Sequence, residues 1–434
     1  TCARLFRQIV LYTMPNHPKQ IVYPTSAARR LALHTQGLAA PFSGTPDADS
    51  LYTMIERIGC LQIDTLQLVQ RSQYLALWSR LGNYPPELLD QVAYGDPSAP
   101  PAARNRRLFE YWLKAACFIP LSEYRYRLTR MHAYREGSNR WFKNWISKPE
   151  HQADFDHVLE RIRREGGLRS ADFEYKGEKR SGWWDWKPTK HALEHLYNAG
   201  ILMIDRRERF QRVYDLTERV LPDWVDRSLP SPEDQYRHGL VRAVRALGIC
   251  KPEQASHYFY MTYTKCKPYL KALMAEGILE SVQIAEQDGT QATYLLHHAD
   301  RPLLEQAADS ALTATYTTFL SPFDNLFWSG KRMLALWNFE PRIEMYKPEP
   351  QRRWGYFSLS ILHGERLIGR FDPKLDRKSG VLHLKALHLE EGGTLPPTYR
   401  LPAAHPPSLA KRCCAPCSHK LVGEATAATA TRSG

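Results

Sequence analysis

The sequence predicts an α+β fold, in which helix-and-ribbon units repeat along most of the chain and an antiparallel β domain closes it. Three observations carry this: an internal repeat, a glycine stop followed by paired strand-like runs, and a change of character after Thr313. The segments KHALEHLYNAGIL (Lys190 to Leu202) and KPYLKALMAEGIL (Lys267 to Leu279) share their lysine, two leucines and a closing Gly-Ile-Leu. Leu193, Leu196 and Tyr197 recur at i, i+3, i+4, as do Leu270, Leu273 and Met274, so each segment reads as an amphipathic helix. Gly200 and Gly277 stand where a helix ends in a left-handed cap. Two strand-like runs follow each glycine: ILMID and FQRVYDL in one unit, ILESVQI and ATYLL in the other. Helix, glycine and two-stranded ribbon form the closing half of a winged helix. QYRHGLVRAVRALG and PEQASHYFY supply the helices that precede the later unit.

LYTMIERIGCLQID (Leu51 to Asp64) follows the same grammar, with Gly59 as the stop. Aligning the glycines sets LQID against LMID. Side chains alternate along a strand, so Leu61 and Ile63 turn inward while Gln62 and Asp64 share the other face, about 7 Å apart. A carboxylate beside an amide suits stabilisation of a cation or activation of a water. The competing structural reading makes Asp64 a helix N-cap before TLQLV and leaves Gln62 merely exposed.

After Thr313, LSPFDNLFW gives way to RIEMYKPEP, WGYFSLSIL, RLIGRFDPK and VLHLKALHL, separated by turns such as His363-Gly364-Glu365. The domains expected are 21–165, 166–228, 229–312 and a β domain over 313–391. Residues 1–20 are expected to be a leader outside the fold, and 392–434 a disordered or aberrant tail. Lysine and arginine total 59 against 46 acidic residues, a net charge of +13 that suits a polyanionic partner. The scattered cysteines fit a reducing compartment rather than a disulfide framework.

Other candidates are weaker. Cys413, Cys414, Cys417 and His419 form one cluster without a second ligand pair, so no metal is expected. Trp183, Trp184 and Trp186 fit inter-domain packing better than base stacking. The ribbon turn DRRERFQR carries Arg206, Arg207, Arg209 and Arg212, and a Pro-rich hairpin tip carries Arg352 and Arg353; both read as phosphate contacts. No Gly-rich phosphate loop, HExxH or serine elbow occurs, which removes nucleotide hydrolysis and metalloprotease chemistry.

The blocks LQIDTLQLVQRSQYLALWSRLG, FEYWLKAACFIP, LSPFDNLFW and RIEMYKPEPQRRWGYFSLSILHGERLIGRFDPK resemble the YcaQ/AlkZ-type DNA glycosylases, over about Ser26 to Leu389. The pattern Gln, apolar, Asp resembles the YcaQ branch. This resemblance implies three tandem winged-helix motifs around a concave DNA channel, with a C-terminal antiparallel β domain. It implies excision of N7-alkylated purines and unhooking of interstrand crosslinks, with Gln62 and Asp64 as the catalytic pair. Arg71 and Arg370 then join Arg206, Arg207, Arg209, Arg352 and Arg353 on double-stranded DNA. A cytoplasmic, nucleoid-associated monomer without cofactor or membrane attachment is expected. FEYWLKAACFIP departs from the family, which carries His and Glu where this chain has Lys114 and Ala115; rate or substrate range is expected to differ if that pair shapes the channel. The alternative function is a non-catalytic winged-helix DNA-binding protein, which would tolerate loss of Gln62 and Asp64.

Overall fold

A computed structural model describes residues 21–137, 143–144, 147–173 and 188–391. The expected leader, the tryptophan cluster Trp183, Trp184 and Trp186, and the cysteine-bearing tail lie outside the described residues. The described chain opens with β1 (Val22–Pro24) and α1 (Thr25–Thr35). One order of elements then recurs: a helix, a short strand, helical turns, and a hairpin. The first unit runs α2 (Ala48–Ile58), β2 (Leu61–Gln62), α3 (Ser72–Leu81), α4 (Glu87–Tyr94), β3 (Leu108–Trp112) and β4 (Ala116–Pro120). After α5 (Leu128–Arg135), the second runs α6 (Pro149–Glu165), β5 (Leu168–Arg169), a 3-10 turn at Ser170–Asp172, α7 (Pro188–Asn198), β6 (Leu202–Glu208) and β7 (Gln211–Leu216). Following α8 (Thr217–Val220), the third runs α9 (Pro232–Leu247), α10 (Pro252–Tyr258), α11 (Tyr263–Ala275), β8 (Leu279–Ala285) and β9 (Gln291–His297).

The sheets share one topology. Strand orders are β2-β4-β3 and β5-β7-β6, so the strand after the opening helix pairs with the far arm of the hairpin. In the third unit Cys250 takes that place, bridging Leu295 of β9. The repeat legible in the sequence is the helix and hairpin of the second and third units. Gly200 and Gly277 both adopt left-handed φ, at 66° and 72°. The amides of Ile201 and Ile278 then close back onto the carbonyls of Leu196 and Leu273, the cap expected of such an ending. The glycine alignment, however, misplaced the first unit. Gly59 follows the opening helix of its unit, whereas Gly200 and Gly277 follow the helix before the hairpin. Leu61–Gln62 is therefore the edge strand of its sheet, not the counterpart of Leu202–Asp205.

Chain order and packing also part company at the ends. β1 adds in parallel to β8, and α1 packs on α12 (Arg301–Ala308) and α13 (Gly330–Trp337), joining the chain's start to its third unit. α6 packs on α7 and β7, so the second unit opens before residue 166. One apolar core runs through all three units, including Ile58, Leu61, Leu193 and Leu270.

The closing domain is an antiparallel sheet of β10 (Thr317–Leu320), β11 (Leu359–His363), β12 (Arg366–Asp376) and β13 (Val381–Leu389), in that order. Central β12 tolerates Pro373 because the ladder is broken by a bulge between Asp372 and Pro373. RIEMYKPEP, expected as a strand, is instead a loop with a 3-10 turn at Glu349–Gln351. Its prolines lack the amide hydrogen a ladder needs. Arg352 and Arg353 thus follow a loop turn rather than sitting on a hairpin tip.

Candidate active site

Strand β2 and the extended residues just after it deliver the polar pair. Leu61 and Ile63 are buried, while Gln62 and Asp64 are half-buried and line an open cleft of about 710 Å³ between the first unit, the second unit and the closing domain. Alternation along an extended chain produces this division. Gln62 pairs with Cys117 of β4, and the Ile63 amide donates to Ala116 O at 2.8 Å. The Asp64 amide donates to Oε1 of Gln73 at 3.1 Å, and Gln73 itself is buried. Gln73 therefore fixes the backbone that carries the carboxylate, a role its place inside the apolar run SQYLALW did not disclose.

Asp64 is not a helix N-cap: residues 65–71 form a loop, and helix α3 begins only at Ser72. One carboxylate oxygen, Oδ1, accepts the Leu66 amide at 2.8 Å. Oδ2 has no hydrogen-bond partner among the described residues. Burial pushes the Asp64 carboxyl above the usual aspartate range, with the Leu66 amide opposing it. The result is an oriented carboxylate with one oxygen available to the cleft.

The block LSPFDNLFW buttresses this strand from behind. Asn325 donates to Cys60 O at 2.9 Å and to the Tyr258 hydroxyl at 3.0 Å, and that hydroxyl donates to Ile58 O at 2.7 Å. Asp324 takes both guanidinium nitrogens of Arg80 at 2.7 and 2.9 Å, with neither side chain exposed. From the other side, the Leu375 amide donates to Leu68 O at 3.0 Å, and Arg377 donates to Gln67 O and Val69 O. The loop after Asp64 is thus clasped by the turn between β12 and β13.

The predicted arginines separate into two groups. Arg207 forms a paired contact with Glu110 at 2.7 Å through each of two nitrogens. Burial opposes ionisation of Glu110, but the Arg207 guanidinium overrides it and holds the carboxyl below the usual glutamate range. Arg212 bonds Glu194 at 3.0 Å, and Arg206 bonds Asp205 and Glu208 at 2.6 Å each. Arg370 is only 4% exposed and held by Glu390 at 2.6 Å. Both Arg207 and Arg370 are thus cross-links of the fold: Arg370 is buried, where a charge must be paired, while Arg207 is half-buried on the wall of the cleft. Arg209 and Arg353 are exposed, and Arg353 lies over the Trp354 ring at 4.3 Å. Arg352 is half-buried and donates to Lys347 O. Arg71 lies 3.8 Å over the Phe210 ring, whose surroundings Arg207 also enters at 4.3 Å, which ties the loop after Asp64 to the second hairpin.

Lys114 and Ala115 diverge in role. Lys114 donates to Trp328 O at 2.6 Å, and burial lowers its pKa. Ala115 lines the cleft beside Gln62. Among the described residues there is no cluster of His, Cys, Asp and Glu able to hold a metal ion, and no helix long and apolar enough to cross a membrane.

Comparison with known proteins agrees with this arrangement. The chain is similar in fold to the Streptomyces sahachiroi DNA glycosylase AlkZ, with a TM-score of 0.55 over 86% of this chain and 94% of that one, at 14% identity. The family model described as DNA glycosylase AlkZ-like matches residues 55–418, a span that begins in the last turn of α2 and takes in the polar strand, the second and third units and the closing sheet. The alternative of a non-catalytic DNA-binding protein is thereby set aside. The chain belongs to the AlkZ-like family of DNA glycosylases.

Proposed function

We propose that the protein hydrolyses the N-glycosidic bond of N7-alkylated purines in double-stranded DNA, interstrand crosslinks included, with Asp64 and Gln62 as its catalytic pair. The observation that carries this reading is the shared exposure of Gln62 and Asp64 to one cleft, with Asp64 Oδ2 left available. The three helix-strand-helix-hairpin units read as winged helices arranged around that cleft, with the duplex running through it as a monomer's substrate.

The chemistry follows from charge. An N7-alkylpurine is already cationic, so it departs as a neutral base without prior protonation, and no strong general acid is required. As the C1′–N9 bond breaks, its electron pair goes to the base and positive charge moves to the sugar. Asp64 stabilises that oxocarbenium ion and accepts a proton from the attacking water, which Gln62 holds. At about 4 Å and an effective dielectric near 20, the attraction is on the order of 4 kcal/mol. Felt only in the transition state, this corresponds to roughly a thousandfold in rate. The surrounding wall supports the reading, because Arg207 and Arg212 are neutralised by Glu110 and Glu194 and do not repel a cationic base.

A crosslinked base is tied to the opposite strand and cannot swing freely into a deep pocket. An open cleft at the edge of a sheet suits such a substrate. Release of base from N7-methylguanine DNA and from nitrogen-mustard-crosslinked DNA, read as strand cleavage at the resulting abasic sites, tests the proposal. Intact strands in both substrates would refute it and would fit a family member made inactive by Lys114, Ala115 or the altered tail. On this reading the protein works in the cytoplasm, associated with the nucleoid through its DNA substrate.

A further inference from the structure

Four aromatic residues, Trp112, Tyr214, Phe323 and Tyr346, share the cleft with Asp64. Aromatic faces beside a carboxylate are the chemistry that recognises organic cations, through the negative face of the ring and the opposite charge. Three of these rings are already engaged. The Arg212 guanidinium lies 5.7 Å from the Trp112 ring centre. Tyr214 is buried, and its hydroxyl bonds Glu194 at 3.0 Å. Phe323 is buried against Phe357.

Tyr346 differs. It is 80% exposed, with no hydrogen bond or ring contact among the described residues. A single exposed ring says little by itself. Its setting says more, because the backbone on either side is held. Glu344 is buried and accepts the Trp354 amide at 2.6 Å and Lys347 Nζ at 2.9 Å. Met345 is buried in the cluster of Phe323 and Phe357. Arg352 closes the loop onto Lys347 O at 2.9 Å. The loop is thus ordered on both sides of one unpartnered ring. Burial, and then the charge of Asp64, raise the Tyr346 phenol, so the two groups are within electrostatic reach.

We propose that Tyr346 distinguishes damaged from undamaged purines: its ring face takes the cationic N7-alkylated base in a cation–π contact beside Asp64. This inference rests on the N7-alkylpurine reading above. The contact weakens as the base becomes neutral, so it favours the bound lesion over the transition state. Losing it therefore weakens lesion binding without lowering the saturated rate.

The test uses the full chain carrying Asp64→Asn, which holds the lesion uncleaved. Affinities are measured for an N7-methylguanine duplex and for the same duplex with guanine. Adding Tyr346→Ala should reduce the preference for the lesion about 2- to 30-fold. Tyr346→Phe should keep most of it, and phenylalanines of rising fluorination at position 346 should lose it stepwise. In the Asp64-containing protein, Tyr346→Ala should raise the protein concentration that gives half-maximal single-turnover release by the same factor, and an unchanged half-saturation would overturn the inference. An unchanged preference in Tyr346→Ala, no preference in the Asp64→Asn parent, or indifference to fluorination would overturn the inference. If the unaltered protein releases no base at all, the glycosylase substrate assignment fails instead; if it releases base while Tyr346→Ala keeps full preference, only the role of Tyr346 fails.

Discussion

Asp64 is held against its own electrostatic interest. Burial raises its carboxyl, so the folded chain binds its proton more tightly than the unfolded chain. Its contribution to stability is fully present below the unfolded value of about 3.9 and is lost as pH rises through the folded value. Asp64→Asn should therefore melt no lower than the unaltered protein near neutral pH, with any gain vanishing in acid; thermal melts at both pH values check this. The proposed mechanism gives activity the opposite dependence, because it requires the ionised form. Single-turnover base release should rise with pH through an apparent pKa above the ordinary aspartate value, and a rate flat across that range would contradict ionised Asp64 as the catalyst. The arginines give a second test. Arg209→Ala and Arg353→Ala should each lower the slope of log K against log salt by about 1 without changing the melt. Arg207→Ala and Arg370→Ala should instead lower melting, as each leaves Glu110 or Glu390 without its guanidinium. The pairing of Gln62 with Asp64 was legible from alternation alone. The paired state of Arg207 and Arg370 was not, because Glu110 and Glu390 are distant in sequence from one or brought close only by sheet register.

Among the elements, two devices hold the polar strand and the loop that faces it. Arg80 on α3 and Asp324 before the 3-10 turn at Asn325–Phe327 form a fully buried pair. Asp324→Ala strands a guanidinium in the core and should cost about 3–5 kcal/mol, measurable by denaturant unfolding; a loss under 1 kcal/mol would show that the pair does not anchor the strand. Gly355 adopts φ of 109°, and a Cβ there would strike the Asp372 carboxylate, which accepts the Tyr356 amide at 3.0 Å and the Phe357 amide at 3.2 Å. Gly355→Ala should therefore destabilise the closing domain. The hairpin turn of the second unit is strained in its own way. Arg209 and Phe210 both have positive φ, at 48° and 69°, in a two-residue turn that glycine or asparagine usually fills. Phe210 holds its place with Arg71 and Arg207 over its ring. Periodicity exposed the helices before each hairpin and the strands of the closing sheet. It does not show β5 or the Cys250 bridge, which are too short to carry a pattern, and RIEMYKPEP alternates like a strand although Pro348 and Pro350 lack the amides a ladder needs.

The molecule as a whole sets one polar edge strand between two hairpin units and a β domain, and a shared core runs through its three units. The second and third were readable because the helix before each hairpin stops on a glycine and turns back, whereas Gly59 of the first ends its opening helix instead. The parallel joining of β1 to β8 was not, because nothing in a three-residue strand names its partner. If duplex DNA occupies the cleft through phosphate contacts, affinity should fall linearly on logarithmic axes as salt rises; a flat response would exclude that channel. The central claim is narrower, that Asp64 performs the bond cleavage. It is tested most directly by single-turnover release of N7-methylguanine from duplex DNA by Asp64→Asn, with duplex affinity measured on the same preparation. The prediction is a loss on the order of a thousandfold or more in release with affinity preserved. Release at an undiminished rate would contradict it.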